Sequence, residues 1–220
     1  ENKSSSSYFI NHHANPPKEF SFSPSSILLF SDCQKKFEYK YKFNMPEERI
    51  IAWEEAALGS FVHLVLEKGV KENFRNLSDF LNLAKDLHLN EEWSSVNLEE
   101  SEYLIKIFYE RNKLKYSEKS RTEQKLKTKI GSFNFIGFAD RIDFNQDGLE
   151  IIDYKTGKSV LTPKQRNWQL GYYIIASSKL GKVKKVTIDM LRHEKPLEFS
   201  IEENIAKAIG SDRMYFSITE

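Results

Sequence analysis

A hairpin signal in the second half of the chain constrains the fold more than any other feature of the sequence. Positions 145–148, Asn-Gln-Asp-Gly, separate two runs rich in β-branched and aromatic residues, and such a tetrapeptide favours a tight turn between antiparallel strands. With its two middle residues at the loop tip, Ile142 faces Ile151 and, further from the turn, Asp140 faces Asp153. We therefore predict a hairpin that brings two carboxylates together across the strands.

The same register sorts the side chains of the hairpin onto two faces, because side-chain direction alternates along a strand. Asp140, Asp153 and Lys155 share one face with the apolar residues nearer the turn. The opposite face, which carries Arg141 and Asp143, is largely polar, so we expect the charged trio on the core-facing side. Two carboxylates this close repel each other unless one is protonated or a cation lies between them, and Mg²⁺ or Mn²⁺ suits such oxygen ligands.

Residues on two predicted helices could complete a site around this trio. His63 follows Gly59 by one helical turn on the same flank, and Gly59 would allow another backbone to approach closely. Gln169 and Tyr173 have the same spacing and could reach into a cleft from one helix face. The alternative is a surface hairpin with an ordinary ion-pair cluster, since an Asp-x-Lys tripeptide is common. The joint occurrence of the carboxylates, the lysine and the histidine favours a metal site.

The remaining pattern predicts helices first and strands afterwards. Helical periodicity dominates up to about position 116, and short strand-like runs begin near Thr122. This order indicates an α/β or α+β domain with a central mixed sheet, flanking helices and a helical N-terminal part. The predicted helices are one that begins at Ser23-Pro24, then 53–71, 77–89, 99–116, 163–179 and 202–209. The predicted strands are 123–130, 132–144, 149–155, 183–192 and 197–201.

Composition predicts where the folded domain begins and in which cellular compartment the protein is found. Residues 1–19 are polar and include a serine run and a double proline, which predicts a flexible tail or linker before one folded domain at 20–220. No run approaches the ~20 apolar residues that cross a bilayer. The start lacks the basic and apolar blocks of a secretory signal. We expect an intracellular, cytoplasmic protein with no membrane segment.

The first predicted helix, which begins at Ser23-Pro24, also carries Lys35, Lys36, Lys40 and Lys42 among aromatic residues. The formal net charge of +1 gives no argument for a polyanionic partner, so any nucleic-acid surface must be local. The alternation could follow a phosphate backbone and stack on bases, with Lys35 and Lys36 as contacts, or it could be a solvated face over aromatic core residues. The lysines expected to form a positive groove are Lys35, Lys36, Lys40, Lys42, Lys125, Lys127 and Lys158.

Four motifs follow one another along the chain: Gly59-x-x-x-His63, Gly137-x-x-Asp140, Ile151-Ile152-Asp153-Tyr154-Lys155-Thr156-Gly157 and Gln169-x-x-x-Tyr173. In their order and approximate spacing they resemble the RecB-like branch of the PD-(D/E)XK nucleases. The opening segment at 22–37 is similar as well, so the resemblance covers nearly the whole chain after the tail.

This resemblance implies a restriction-endonuclease-like core and a divalent-metal-dependent DNA nuclease that uses Mg²⁺ or Mn²⁺. The implied metal ligands are His63, Asp140, Asp153 and the backbone carbonyl of Tyr154. The implied catalytic residues are Lys155, which acts on the attacking water, and the ligands Asp140 and Asp153. Gln169 and Tyr173 are implied to organise the site and the DNA strand.

The resemblance also suggests partners and cofactors. We favour an exonuclease module for DNA repair or recombination, attached to or partnered with a UvrD-like helicase. The alternatives are a free-standing exonuclease of the CRISPR or phage type and a catalytically silent DNA-binding module. Many relatives hold an iron–sulfur cluster with one cysteine near the first helix and three near the C-terminus. Cys33 matches the first and is the single cysteine of the sequence, so we expect no cluster within these 220 residues.

Overall fold

The computed structural model describes residues 20–45 and 52–201, and it confirms the predicted succession of helices followed by strands. The two-residue strand that precedes the first helix was not predicted. The expected tail at 1–19 and the predicted helix at 202–209 lie outside the described residues. The helices are α1 (Pro24–Asp32), α2 (Gln34–Phe37), a π-helical turn (Glu38–Lys42), α3 (Ala52–Lys71), α4 (Leu77–His88), a 3-10 turn (Glu91–Trp93), α5 (Leu98–Asn112) and α6 (Pro163–Ser177). The strands are β1 (Ser21–Phe22), β2 (Arg121–Ile130), β3 (Phe133–Asn145), β4 (Gly148–Lys155), β5 (Val183–Met190) and β6 (Leu197–Ser200).

The six strands form one mixed sheet around the long strand β3. The order along the sheet is β1-β3-β4-β5-β6, and β2 also pairs with β3. The pairs β1–β3 and β4–β5 are parallel, while β2–β3, β3–β4 and β5–β6 are antiparallel. The crossover that parallel neighbours require is α6, which connects β4 to β5. The predicted mixed sheet with flanking helices is therefore confirmed.

Helices cover both faces of the sheet. One core lies between the sheet and α3, α4 and α5, and it includes Phe61, Phe108 and Ile152. The other core lies between the sheet and α1, α2 and α6, and it includes Ile151 and Tyr172. Successive residues of β4 therefore pack into different cores, as expected for a strand buried on both sides. Across residues 20–45 and 52–201, no helix is long and apolar enough to cross a bilayer.

The predicted hairpin register is confirmed near the turn. Asn145 pairs with Gly148, and Ile142 pairs with Ile151. Gly148 has a φ of 144°, and a Cβ atom there would lie 2.4 Å from the backbone oxygen of Lys182. Glycine is therefore the residue that this turn tolerates.

The hydrogen-bonded ladder between β3 and β4 ends before it reaches the predicted pair of Asp140 with Asp153. The last pair joins Arg141 to Ile152, so the expected pair of Asp140 with Asp153 is not part of the ladder. The backbone N–H of Tyr154 instead donates a 2.6 Å hydrogen bond to Oδ2 of Asp140. Beyond this point β4 pairs with β5 as far as its last residue, and no ladder pair joins the remaining ends of β3 and β4. We call this break in the ladder the gap between β3 and β4.

The expectation that the polar face of the hairpin lies away from a core is wrong. Arg141 and Asp143 are only 1% and 4% exposed. The guanidinium of Arg141 donates to Asp143 Oδ2 at 3.1 Å, to the Tyr154 hydroxyl at 2.7 Å and to Asn112 Oδ1 at 3.0 Å. Ser120 Oγ donates to Asp143 at 2.6 Å. These charges are buried because each has a partner, which the binary pattern of one hairpin does not reveal.

The predicted first helix is interrupted at Cys33. The backbone of Cys33 is extended, with a φ of −158°, and its thiol accepts a hydrogen bond from the N–H of Lys36. Cys33 thus ends α1 and caps α2. At the start of α1, Ser23 forms the expected cap, accepting from the N–H of Ser26 at 3.1 Å. The helix predicted at 99–116 also ends early, at Asn112.

Gly69 allows α3 to pack closely against α4. A Cβ atom at position 69 would lie 2.0 Å from Cε1 of the buried ring of Phe80. On an exposed helix, Gly→Ala stabilises by about 1 kcal/mol. Here we expect Gly69→Ala to lower the free energy of unfolding by about 1–3 kcal/mol, because the ring must move within a packed core. Urea denaturation measures this change.

The companion variant for this prediction is Phe80→Leu. In the Phe80→Leu background, Gly69→Ala should lower the free energy of unfolding by less than it does in the wild type, because the ring edge that clashes is gone. An equal cost in both backgrounds would show that the contact between Gly69 and Phe80 does not determine the effect.

Candidate metal centre

Helix α3 places an imidazole beside the first carboxylate of the hairpin. His63 Nδ1 lies 3.3 Å from Asp140 Oδ1, and their side chains are 28% and 14% exposed. One turn earlier, a Cβ atom at Gly59 would lie 3.0 Å from Oγ1 of Thr156, just after β4. The absence of a side chain at Gly59 therefore lets α3 approach the end of β4 and brings His63 to the gap between β3 and β4.

The sequence analysis missed a second carboxylate in this cluster, Glu123 of β2. His63, Glu123 and Asp140 each offer a ligand-type atom, and these three atoms lie within 4.8 Å of one another. The signal was present in the register: Ile130 pairs with Phe133, and counting back from that turn places Glu123 opposite Asp140. The pairing of Asp140 was predicted for the hairpin at 145–148 but not for the hairpin between β2 and β3.

Glu123 also has an unusual backbone. Its φ of 45° lies in the left-handed region, which costs a non-glycine residue on the order of 1–3 kcal/mol and is concentrated at functional sites. The pairing of β2 with β3 continues on both sides of Glu123 but omits the pair with Asp140. The distorted backbone thus lies at the position where Glu123 and Asp140 come close to His63.

Asp153 meets the same gap from the other side of the sheet. It is 4% exposed, and its Oδ1 accepts a 2.5 Å hydrogen bond from the hydroxyl of Tyr173 on α6. Lys155 Nζ lies 2.8 Å from Asp153 Oδ2. Helices on opposite faces of the sheet thus reach the two carboxylates, α3 through His63 and α6 through Tyr173.

The negative charge of this cluster favours the binding of a proton or a cation. Burial lowers the pKa of His63, but the hydrogen bond and the charge of Asp140 outweigh burial and raise it above its ordinary value. Burial raises the pKa of Glu123, and the nearby charge of Asp140 raises it further. Burial likewise raises the pKa of Asp153, although Lys155 opposes the shift. The charge of Asp140 thus disfavours the ionisation of both Glu123 and Asp153.

Lys155 remains a cation in this environment. Burial lowers its pKa, but the charge and the hydrogen bond of Asp153 outweigh burial and raise the pKa above its usual value. Lys155 therefore provides a fixed positive charge at the edge of the carboxylate cluster.

The donor set fits a hard divalent cation. One imidazole nitrogen and carboxylate oxygens from two strands lie close together in a partly exposed cleft, and Mg²⁺ or Mn²⁺ binds such donors. The cleft between α3 and the sheet is lined by His63, Leu66, Glu67, Val70, Thr122, Glu123, Asp140, Arg141 and Tyr154. Asp153 stands beside this cluster, with its carboxylate oriented by Tyr173 and Lys155.

The other predicted site residues occupy different positions. Tyr173 contacts Asp153, whereas the Oε1 atom of Gln169, one turn earlier on α6, is buried without a hydrogen-bond partner among the described residues. Lys35 and Lys36 are exposed on α2, which belongs to the layer of α1 and α6. The structure thus assembles His63, Asp140, Asp153, Lys155 and Tyr173 from distant positions in the sequence.

One family model matches most of the chain. The family model for the PD-(D/E)XK nuclease superfamily matches residues 21–215. No curated protein matches the chain. Among solved structures, the crystal structure of SSO0001 is similar, with 16% sequence identity and a TM-score of 0.39, over 91% of this chain and 77% of that one.

Proposed function

The chain belongs to the PD-(D/E)XK nuclease superfamily, and from this premise we propose that it is a divalent-metal-dependent deoxyribonuclease that hydrolyses phosphodiester bonds. The observation that carries the proposal is the cluster of His63, Glu123 and Asp140, beside the ion pair of Asp153 with Lys155. An ordinary surface ion-pair cluster would not need an imidazole and a strained glutamate around the same carboxylate.

We propose that a divalent cation, Mg²⁺ or Mn²⁺, occupies this gap. Its ligands would come from His63, Asp140, Asp153 and the backbone carbonyl of Tyr154, with Glu123 as an additional carboxylate. When bound, the cation supplies a Lewis acid that lowers the pKa of water and neutralises phosphate charge. The hydrogen bond from Tyr154 N–H to Asp140 fixes the orientation of one proposed ligand against the backbone that carries another.

The residues around the ligands then have separate tasks. Lys155 would orient the attacking water and stabilise negative charge that develops on the phosphate. The hydroxyl of Tyr173 positions Asp153, because its proton is donated to Oδ1. Gln169, Lys35 and Lys36 would contact DNA beyond the scissile phosphate, where it leaves the site on the side of α2 and α6.

The motif pattern supports a more specific role. We propose a nuclease domain at 20–220 that works as an exonuclease in the cytoplasm, in DNA repair or recombination, with a UvrD-like helicase in the same polypeptide or complex. The ordered resemblance to the RecB-like branch supports this assignment over a free-standing exonuclease of the CRISPR or phage type.

A cleavage assay on labelled DNA tests the proposed function. Protein dialysed against EDTA should leave linear and circular single-stranded oligonucleotides intact, and added Mg²⁺ or Mn²⁺ should restore cleavage of the linear form alone. Cleavage of the circle would identify an endonuclease. Metal-supported DNA binding without any cleavage would instead identify a catalytically silent module and contradict the proposal.

The ligand role of Glu123 is tested by Glu123→Gln. We expect Mn²⁺ affinity to fall at least about tenfold, by comparison with the 10–100-fold cost of losing an outer-shell partner, because one anionic donor is lost. The matched control is Glu92→Gln, since Glu92 is exposed on the 3-10 turn. Calorimetric titration with Mn²⁺ measures both variants. Equal affinities would remove Glu123 from the ligand set.

A further inference from the structure

A row of lysines lies on one face of the first hairpin, leading to the carboxylate cluster. Lys125 pairs with Phe138, Lys127 with Ile136 and Lys129 with Asn134, and directly paired residues share a face. By the same alternation, Glu123 and Asp140 follow on this face. We call Lys125, Lys127, Lys129 and Phe138 the lysine ribbon.

The lysine ribbon faces away from the core under α6. Leu126, Phe135 and Ala139 lie on the other face and are buried in that core, and the hydroxyl of Tyr172 donates to the backbone oxygen of Leu126. The three lysines are exposed. The ribbon is therefore a solvent-facing surface fixed to a rigid strand pair.

Phe138 connects this surface to the site. Its ring is 50% exposed, and Lys125 Nζ lies 5.9 Å from the ring centroid. The backbone oxygen of Phe138 lies 3.3 Å from the hydroxyl of Tyr173, which also donates to Asp153. The ring thus stands two residues before Asp140, on a backbone that lies beside the hydroxyl that orients Asp153.

Building on the proposed function, we propose that the lysine ribbon binds a single DNA strand and guides it to the metal centre, with Phe138 stacking on a base beside the scissile phosphate. Alternate residues on a strand are about 6.6–6.8 Å apart, so the lysines present regularly spaced charges along a line that ends at the carboxylates. These charges offset the repulsion between the carboxylates and an incoming phosphate. An exposed aromatic ring stacks on an unpaired base, as in other single-strand grooves, which favours single-stranded DNA over a duplex.

Lysines on an edge strand also have a simpler use. Within the described residues β2 pairs with β3 alone, and charged side chains on such strands prevent edge-to-edge aggregation. Edge protection explains the lysines but gives no reason for an exposed phenylalanine among them, next to the site.

The test compares Lys125/Lys127/Lys129→Gln with a control of the same charge change, Lys115/Lys119/Lys179→Gln. The three control lysines are exposed in turns outside the helices and strands. Fluorescence anisotropy with labelled oligothymidylate and with duplex DNA, in Ca²⁺ and at several salt concentrations, measures binding. We expect the ribbon variant to lose at least tenfold in single-strand affinity. Its slope of log affinity against log salt should fall by about 2, from about 0.7 for each of three phosphate contacts. The control variant should bind like the wild type.

Phe138→Leu and Phe138→Trp test the stacking contact independently of charge. We expect about tenfold weaker single-strand binding for Phe138→Leu, with duplex binding and the salt slope unchanged, and near wild-type binding for Phe138→Trp. An unchanged affinity of the ribbon variant, an equal loss in the control, or equal losses on single-stranded and duplex DNA for Phe138→Leu would overturn the inference.

Hydrolysis of bis(p-nitrophenyl) phosphate, which is too short to extend along the row of lysines, separates this inference from the proposed function. The Lys125/Lys127/Lys129→Gln variant should hydrolyse it at the wild-type rate in Mn²⁺. A wild-type protein without any hydrolytic activity would refute the nuclease proposal, while the binding comparison would still decide the role of the lysine ribbon.

Discussion

Lys155→Ala should keep its affinity for Mn²⁺ and DNA but lose most of its turnover, whereas Asp153→Ala should lose both metal binding and cleavage. Asp153 is a proposed anionic ligand and also the ion-pair partner of Lys155. Its removal takes away a charged donor and leaves the positive charge of Lys155 unneutralised beside the site, which disfavours a bound cation. Lys155 carries a fixed positive charge 2.8 Å from Asp153, and the loss of one preorganised charge-stabilising group costs about 10²-fold or more in rate.

The neighbouring strand offers a matched control for this prediction. Lys185 on β5 lies 2.8 Å from Glu150 Oε1 and its side chain is 29% exposed, the same values as for Lys155 with Asp153. Lys185→Ala should therefore have a similar effect on the ion pair but none on turnover. Calorimetry with Mn²⁺ and an assay on a labelled oligonucleotide measure the variants. If Lys155→Ala cleaves at the wild-type rate, this lysine is only an ion-pair partner and the proposed mechanism is wrong.

Arg141→Leu should lower the free energy of unfolding by about 3–5 kcal/mol, because it breaks a buried charge network from one side. Asp143 and Asn112 Oδ1 would lose the guanidinium that now satisfies them, and the Tyr154 hydroxyl would lose a donor. For a chain of this length, 1 kcal/mol corresponds to roughly 2–4 °C in Tm, so thermal unfolding should shift by roughly 6–20 °C.

Two further variants show whether the network causes this loss. Arg121→Leu removes an exposed arginine on β2 whose guanidinium lies 4.8 Å from the centroid of the Phe144 ring. It should cost only about 0.5–1 kcal/mol, which is typical of an exposed cation–π contact. Arg141→Leu combined with Asp143→Leu should recover part of the stability, because it removes the uncompensated buried carboxylate. A double variant as unstable as the sum of its parts would contradict the role of the ion pair.

Local chemistry in the sequence predicted the parts of the site that belong to one hairpin. The turn at 145–148 fixes the pairing of β3 with β4, because only certain residues accept its backbone conformation. Once the turn is fixed, alternation places Asp140, Asp153 and Lys155 at the far end from it. Helix spacing likewise placed His63 one turn from Gly59. The register of the first hairpin also places Glu123 opposite Asp140, although Glu123 was not among the predicted site residues.

Contacts between elements that are distant in sequence could not be predicted from strand and helix periodicity. The hairpin pattern treated Arg141 and Asp143 as a polar outer face, yet α5 and the segment before β2 supply Asn112 and Ser120, which allow both charges to be buried. Such partners are distant in sequence, so no local pattern reveals them. The same holds for Tyr173, whose spacing from Gln169 gave no indication that only the tyrosine would contact Asp153.

By itself, the sequence determined the order of helices and strands, the turn and the residue types of the site, because each depends on backbone preferences and periodicity within a few neighbouring residues. The tertiary structure alone decided that the hairpin ladder stops before Asp140, that Glu123 takes a left-handed backbone, and that α3 and α6 reach one gap from opposite faces of the sheet. These features depend on how closely packed layers approach each other, as at Gly59 and Thr156, and packing between distant segments has no local signature in the chain.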